Sequence, residues 1–178
     1  MYSYGVFIGR FQPFHVGHLH NIAIGLESCE KLIILIGSAF RARTIKNPFT
    51  FAERKQMILA DLMAVNPDWR DRIIVEPVSD WFYDEQAWID EVRSRVEKHA
   101  AESSVAIVGH EKDASSYYLH CFKNWGFVEV SNFKEYNATE FREAMFHSQK
   151  LLTKDYLVNV GEESKNTSYH FLSDFMKG

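Results

Sequence analysis

The chain has 178 residues, 46% apolar and 25% charged, the make-up of one globular domain with a full-sized core, so no disordered tail is called for. Its formal net charge of −4 argues against non-specific nucleic-acid binding, though it leaves room for a local basic pocket. Cys29 and Cys121 stand too far apart in sequence for a disulfide framework or a zinc-spaced cluster, which points to a reducing cytoplasm.

Taken in order, residues 4–8 read as a strand and 18–29 as a helix. Residues 31–37 are a second strand, followed by a polar loop through Pro48. Residues 50–65 read as a helix with Thr50 as N-cap and Glu53 three residues on, a capping-box spacing. A third strand is expected at 72–78 and a helix at 84–100, with apolar residues at 88, 89, 92 and 96. A fourth strand at 104–109, a helix at 114–125 and a fifth strand at 127–130 follow, and from Thr139 the chain reads as helical. Near-continuous apolar strands separated by helices imply parallel pairing buried on both faces. The expected fold is therefore a doubly wound α/β domain with a five-stranded parallel sheet over residues 1–178, its C-terminal helical segment at about 150–178. The N-terminus lacks a signal-peptide pattern, and the longest apolar run, "LIILIG", is too short to cross a bilayer, so no membrane partner is expected.

The stretch "GRFQPFHVGH" (9–18) carries the first functional signal. It links the first strand to the first helix, at the sheet edge where ligands of such folds bind. Gly9 and Gly17 permit close backbone approach, and Pro13 stiffens the turn. His15 and His18 fall near a helix N-terminus, whose N–H groups and dipole already favour an anion. A single histidine there would cap the helix or fill space. Two of them suit phosphate oxygens and the charge that develops on a leaving group.

This stretch resembles the G-x-F-x-P-x-H-x-G-H signature of the nucleotidyltransferase superfamily. A second signature of that superfamily, S-x-T-x-x-R, is matched by "NATEFR" (137–142), with Asn137 in place of serine. The segments "IGSAFRARTIKNPFTFAER" (36–54), "VSDWFYDEQAWIDEV" (78–92) and "GHEKDASSYYLHCF" (109–122) look like the archaeal-type nicotinamide mononucleotide (NMN) adenylyltransferases and the bacterial proteins that fuse this domain to a Nudix hydrolase. The acidic Nudix box is absent from these residues, which leaves a stand-alone enzyme and a first domain equally open.

The resemblance implies a Rossmann-like nucleotidyltransferase fold and the reaction NMN + ATP → NAD + pyrophosphate, without a covalent intermediate. It gives His15, His18 and Arg142 catalytic roles. ATP would meet Gly9, Arg10, Phe11, His15, His18, Lys46, Asn137, Thr139 and Arg142. NMN would meet Ser38, Asp80, Asp84 and Trp88, with Asp80 on the carboxamide and Trp88 stacked on the pyridinium. Mg²⁺ is implied as cofactor, held mainly by substrate phosphates and not by protein side chains. A cytoplasmic homo-oligomer, dimer or larger, is implied as well.

Asp84 departs from the family's common asparagine, and Phe40 and Arg43 from its glutamine and small or histidine residues. The acceptor could instead be nicotinic acid mononucleotide or another phosphate monoester, although a carboxylate beside Asp80 is expected to be repelled. A nucleotide-sensing module without turnover is the alternative from a different class.

Overall fold

Short β-branched runs alternate with longer amphipathic ones, and the computed structural model, which describes residues 1–110 and 121–130, folds them into a layered sheet. In chain order the elements are β1 (Tyr2–Gly9), α1 (Val16–Ser28), β2 (Cys29–Ile36), α2 (Phe51–Val65), a 3-10 turn (Pro67–Arg72), β3 (Ile73–Pro77), α3 (Glu85–Ala100), β4 (Val105–Gly109) and β5 (Gly126–Glu129). The strands form one sheet in the order β3-β2-β1-β4-β5, and every pairing is parallel. The chain winds outward from β1 to β3, then crosses back to place β4 on the other side of β1. That reversal is the switch point at which such sheets open a crevice beyond their strand ends.

Side chains alternate across the two faces, and each face has its own core. Leu32, Ile34 and Ile36 of β2 pack with Ile22 and Leu26 of α1 and with Ile58 and Leu62 of α2. Ile33 and Leu35 point the other way, into a core shared with Val92 and Val96 of α3. Every residue from Leu32 to Ile36 is 0% exposed, which is why this strand reads as an unbroken apolar run. Burying each of these side chains contributes on the order of 2 kcal/mol.

The expected elements are present with shifted ends. Helix α1 starts at Val16, two residues before the expected start, with His15 as N-cap, so His18 is its third residue rather than its first. The helix stops at Ser28 because Cys29 already pairs with Tyr2 in the sheet. The capping box of α2 forms as read: Thr50 Oγ1 accepts the Glu53 N–H at 3.3 Å, and Glu53 Oε2 accepts the Thr50 N–H at 2.8 Å. The helix expected at 114–125 needs correction at its end. Residues 111–120 lie outside the described residues, and 122–125 form a turn in which Trp125 N–H donates to the Phe122 carbonyl at 2.9 Å. Phe122 is buried, Trp125 stacks on it at 4.3 Å, and Gly126 must extend to pair with Ala106, so sheet pairing overrides helical pattern. The helical reading from Thr139 onward falls outside the described residues. Among those that are described, no helix is long and apolar enough to cross a membrane.

Candidate active site

Three segments leave the carboxyl edge of the sheet: 10–15 after β1, 37–50 after β2 and 78–84 after β3. Hydrogen bonds lace them together. Gly37 N–H donates to the Gly9 carbonyl at 2.9 Å, and Ala39 N–H to that of Val78 at 3.1 Å. Gln12 is buried and pairs both ways with Phe49: its Nε2 donates to the carbonyl at 2.8 Å and its Oε1 accepts the N–H at 3.0 Å. Arg54, on the first turn of α2 and only 1% exposed, closes the set. Its guanidinium donates to the carbonyls of Arg10 (2.6 Å), Gly37 (2.7 Å), Ser38 (3.1 Å) and Thr50 (3.2 Å). Burial lowers the Arg54 pKa to about 10, against the pull of Asp80, so the group stays a cation at neutral pH. The capping-box spacing accounts for Glu53 and is silent on Arg54. The available signal was an arginine four residues past an N-cap, a position that faces back toward the loops.

At the N-terminus of α1, His15 is 7% exposed and its backbone N–H donates to His18 Nδ1 at 3.3 Å. An imidazole thus takes the capping-box place that Glu53 takes in α2. The two rings stack with centroids 3.6 Å apart. Phe11 and Phe14 flank His18 at 4.8 and 5.6 Å. Gly9 has to lack a side chain here, because a Cβ would meet the Phe11 ring at 2.8 Å. Burial lowers the His15 pKa to about 4. It also drives His18 well below the ordinary 6.5, and the neighbouring His15 adds to that effect. Both imidazoles are therefore neutral at pH 7. Since Nδ1 of His18 accepts a hydrogen bond, its proton resides on Nε2, which is left as a donor. A helix N-terminus with two neutral N–H-bearing rings can hold an anion without a formal positive charge.

Two adjoining clefts, of about 770 and 590 Å³, open at the same sheet edge. Gly9, Tyr83 and Asp84 line the larger; Ser38, Arg41, Lys46 and Phe82 line the smaller; Arg10, Asp80, Trp81 and Trp88 belong to both. Asp80 Oδ1 accepts the Ser38 hydroxyl at 3.0 Å, and Oδ2 accepts Arg41 Nε at 2.8 Å. The Arg41 guanidinium lies 4.2 Å above the Phe82 ring. Trp88 packs against the core on the α3 side, 6.2 Å from Phe122, while lining both clefts. Asp84 Oδ1 accepts the Ala87 N–H at 3.0 Å and so caps α3.

Glu91 is the second residue that the sequence reading missed. Its carboxylate accepts the Ser79 N–H (3.1 Å), the Ser79 hydroxyl (3.3 Å), the Trp81 indole N–H (2.6 Å) and Arg95 (3.1 Å), which fixes both neighbours of Asp80. Burial pushes the Glu91 pKa up, but the bonds from Trp81, Ser79 and Arg95 outweigh it and hold the group below its usual range.

Gly9, Arg10, His15, His18, Ser38, Lys46, Asp80, Asp84 and Trp88 thus converge on one sheet edge. Phe11 is there too, but its ring is 2% exposed and packs under His18, leaving its backbone at the edge. Asn137, Thr139 and Arg142 lie outside the described residues. Among those described, no three His, Cys, Asp or Glu side chains are grouped so as to hold a metal ion.

Comparison with known proteins sharpens this picture. Residues 6–143 match the family model described as cytidylyltransferase-like. The chain is 43% identical over 150 residues to a nicotinamide/nicotinic acid mononucleotide adenylyltransferase of Acinetobacter baylyi, covering 83% of this chain and 78% of that one. A nicotinamide-nucleotide adenylyltransferase of Sulfurisphaera tokodaii is 34% identical over 149 residues, covering 82% and 80%. Among solved structures, a bifunctional NMN adenylyltransferase/ADP ribose pyrophosphatase from Francisella tularensis superposes with a TM-score of 0.91 at 48% identity, over all of this chain and 51% of that one. A second structure of that description, complexed with AMP and a manganese ion, gives 0.89 at 47% identity, over all of this chain and 50% of that one. This chain therefore spans about half the length of the Francisella chains.

Two predictions follow from the geometry. Replacing Arg54 by lysine keeps the charge but cannot reach all four carbonyls; it is expected to lower stability by about 2 kcal/mol and to weaken nucleotide binding, read from denaturant midpoints and ATP titration. The second concerns pH. His15 titrates near 4 when folded against 6.5 ordinarily, so the unfolded chain takes up its proton first as pH falls. The corresponding stability, about 3 kcal/mol, is fully present above pH 6.5 and lost between 6.5 and 4. Unfolding midpoints of the His15→Gln protein should fall less over that interval; parallel curves would contradict the assignment.

Proposed function

The chain belongs to the cytidylyltransferase-like family, in its nicotinamide-nucleotide adenylyltransferase branch, and we propose that it transfers the adenylyl group of ATP to NMN, giving NAD and pyrophosphate. The observation that carries this reading is that one turn, after β1, supplies both a histidine-capped helix N-terminus and, through Gly9 and Arg10, part of the wall of an aromatic cleft that Asp80 and Trp88 also line. One part suits a polyphosphate and the other a flat, amide-bearing ring.

In this reading an NMN phosphate oxygen attacks the α-phosphorus of ATP. The new P–O bond forms as the bond to the β-phosphate oxygen breaks, and its electron pair leaves with pyrophosphate. That nucleophile is already anionic, so no general base is needed and no covalent intermediate forms. What remains for the protein is alignment and stabilisation of the departing charge. His18 Nε2–H and the His15 ring donate toward the triphosphate, while Arg10 and Lys46 meet substrate phosphates. Asn137, Thr139 and Arg142 are assigned the second phosphate contact on the strength of the motif. Trp88 stacks on the pyridinium, Asp80 with Ser38 meets the carboxamide, and Asp84 offers its remaining carboxylate oxygen to the nicotinamide riboside. Mg²⁺ would be held mainly by the substrate phosphates and would supply charge neutralisation there. A cytoplasmic setting and a homo-oligomer, dimer or larger, complete the reading.

The test is NAD formation and pyrophosphate release from ATP, Mg²⁺ and NMN. One NAD per pyrophosphate is expected. Loss of a transition-state donor in His18→Ala should lower kcat by roughly 10²–10³. Because His18 also caps α1, the variant's thermal midpoint and ATP affinity are measured alongside. Near-normal turnover in the folded variant would remove His18 from the chemistry. ATP binding without release by the unaltered chain would favour a nucleotide-sensing module.

A further inference from the structure

We propose that the Arg41–Asp80 pair reads the substituent on the acceptor's pyridine ring, and that Arg41 is what admits a ring carboxylate beside Asp80. This inference rests on the function proposed above and deepens it.

From the sequence, Asp80 alone would repel a ring carboxylate. The structure does not leave it alone. Its Oδ2 accepts Arg41 Nε at 2.8 Å and its Oδ1 accepts the Ser38 hydroxyl at 3.0 Å, so an acceptor and a guanidinium stand side by side at the junction of the two clefts. A carboxamide carries an N–H donor next to a carbonyl acceptor. Asp80 matches the first, and the donors of Arg41 match the second. A carboxylate offers acceptors alone, which Asp80 disfavours and a guanidinium fork binds in two-point fashion.

The pair is also free to re-form around a ligand. The Arg41 and Asp80 side chains are 43% and 30% exposed, the range in which an ion pair contributes little to stability, so exchanging one partner for a substrate group costs little. Arg41 is supported from below by the Phe82 ring at 4.2 Å, which holds the guanidinium plane near the cleft whichever oxygen it faces. Ser38 has φ of 51° and its carbonyl is held by Arg54, so the hydroxyl on the far side of Asp80 comes from a fixed turn. The selective element is therefore the half-exposed arginine, set beside an acid that Ser38 also holds.

The experiment compares kcat/KM for NMN and for nicotinic acid mononucleotide, with ATP and Mg²⁺ held constant, in the unaltered chain and in Arg41→Met, Arg41→Lys and Asp80→Asn. The unaltered chain is expected to use both acceptors. Arg41→Met should lose at least about 10-fold more with the acid than with the amide. Arg41→Lys, keeping a point charge without the fork, should fall between the two. Asp80→Asn removes the repelling charge and should move the acid-to-amide ratio in the opposite direction. KM for ATP and the thermal midpoint should stay close to the unaltered values in the Arg41 variants, which separates recognition from folding. Turnover with NMN but none with the acid, or a ratio that neither Arg41→Met nor Asp80→Asn shifts, overturns the inference and leaves the proposed function standing. Turnover with neither acceptor in the unaltered chain overturns both.

Discussion

The candidate active edge of this protein depends on one buried cation. Arg54 reaches out of the first turn of α2 to four carbonyls, on the turns that end β1 and β2 and on the N-cap of its own helix. The Thr50 carbonyl also accepts the Arg54 backbone N–H, but those of Arg10, Gly37 and Ser38 lie past the strand ends, and each such group left buried without a partner costs about 1–3 kcal/mol. The guanidinium suits this task because its donors are rigid and planar and serve several acceptors at once. A cation at 1% exposure also has a desolvation cost, visible in its lowered pKa, and the four carbonyl dipoles together with Asp80 offset it. The consequence is geometric. Arg10 and Ser38, which line the clefts, are held through their own backbone oxygens by the same side chain.

The histidine pair applies a related economy at the neighbouring helix. A helix start leaves N–H groups unpaired, and α2 solves this with Thr50 and Glu53. Helix α1 solves it with His15 and His18, so no carboxylate stands where an anion would bind. The phenylalanine box around His18 then keeps that imidazole neutral, and burial does the same for His15. Neutral rings beside a helix dipole attract a polyphosphate less strongly than imidazolium ions would. In return, their donors stay in one protonation state across the physiological range.

Charge elsewhere on the edge is arranged in pairs. Asp80 is balanced by Arg41, and Glu53 by Arg43. Glu91 gathers the Ser79 and Trp81 N–H groups on either side of Asp80. Trp81 is thus presented on a segment held from α3, the helix that carries Trp88 and packs into one face of the core. Packing of the domain and shape of the cleft are for this reason one problem: the helix that buries Val92 and Val96 carries Trp88 and Glu91 on the same few turns.

Periodicity and spacing by themselves determined the class of fold, the order of the elements, the capping box at Thr50, and the placing of His15 and His18 at a strand-to-helix edge. These are local properties: strands buried on both faces have to be apolar throughout, and caps have to sit a fixed number of residues from their partners. The end of the helix expected at 114–125 was misread because pairing of Gly126 with Ala106 is a long-range demand that no window of sequence contains. Arg54, Glu91 and the Arg41–Asp80 pair were illegible for the same reason. Arg54 reads as a surface charge behind a cap, Glu91 as a polar position on an amphipathic helix, and Arg41 as one of several basic residues in a loop. Only the tertiary structure decides otherwise, because their partners lie 17, 44, 12 and 39 residues away and meet only when three parallel strands end at a common edge.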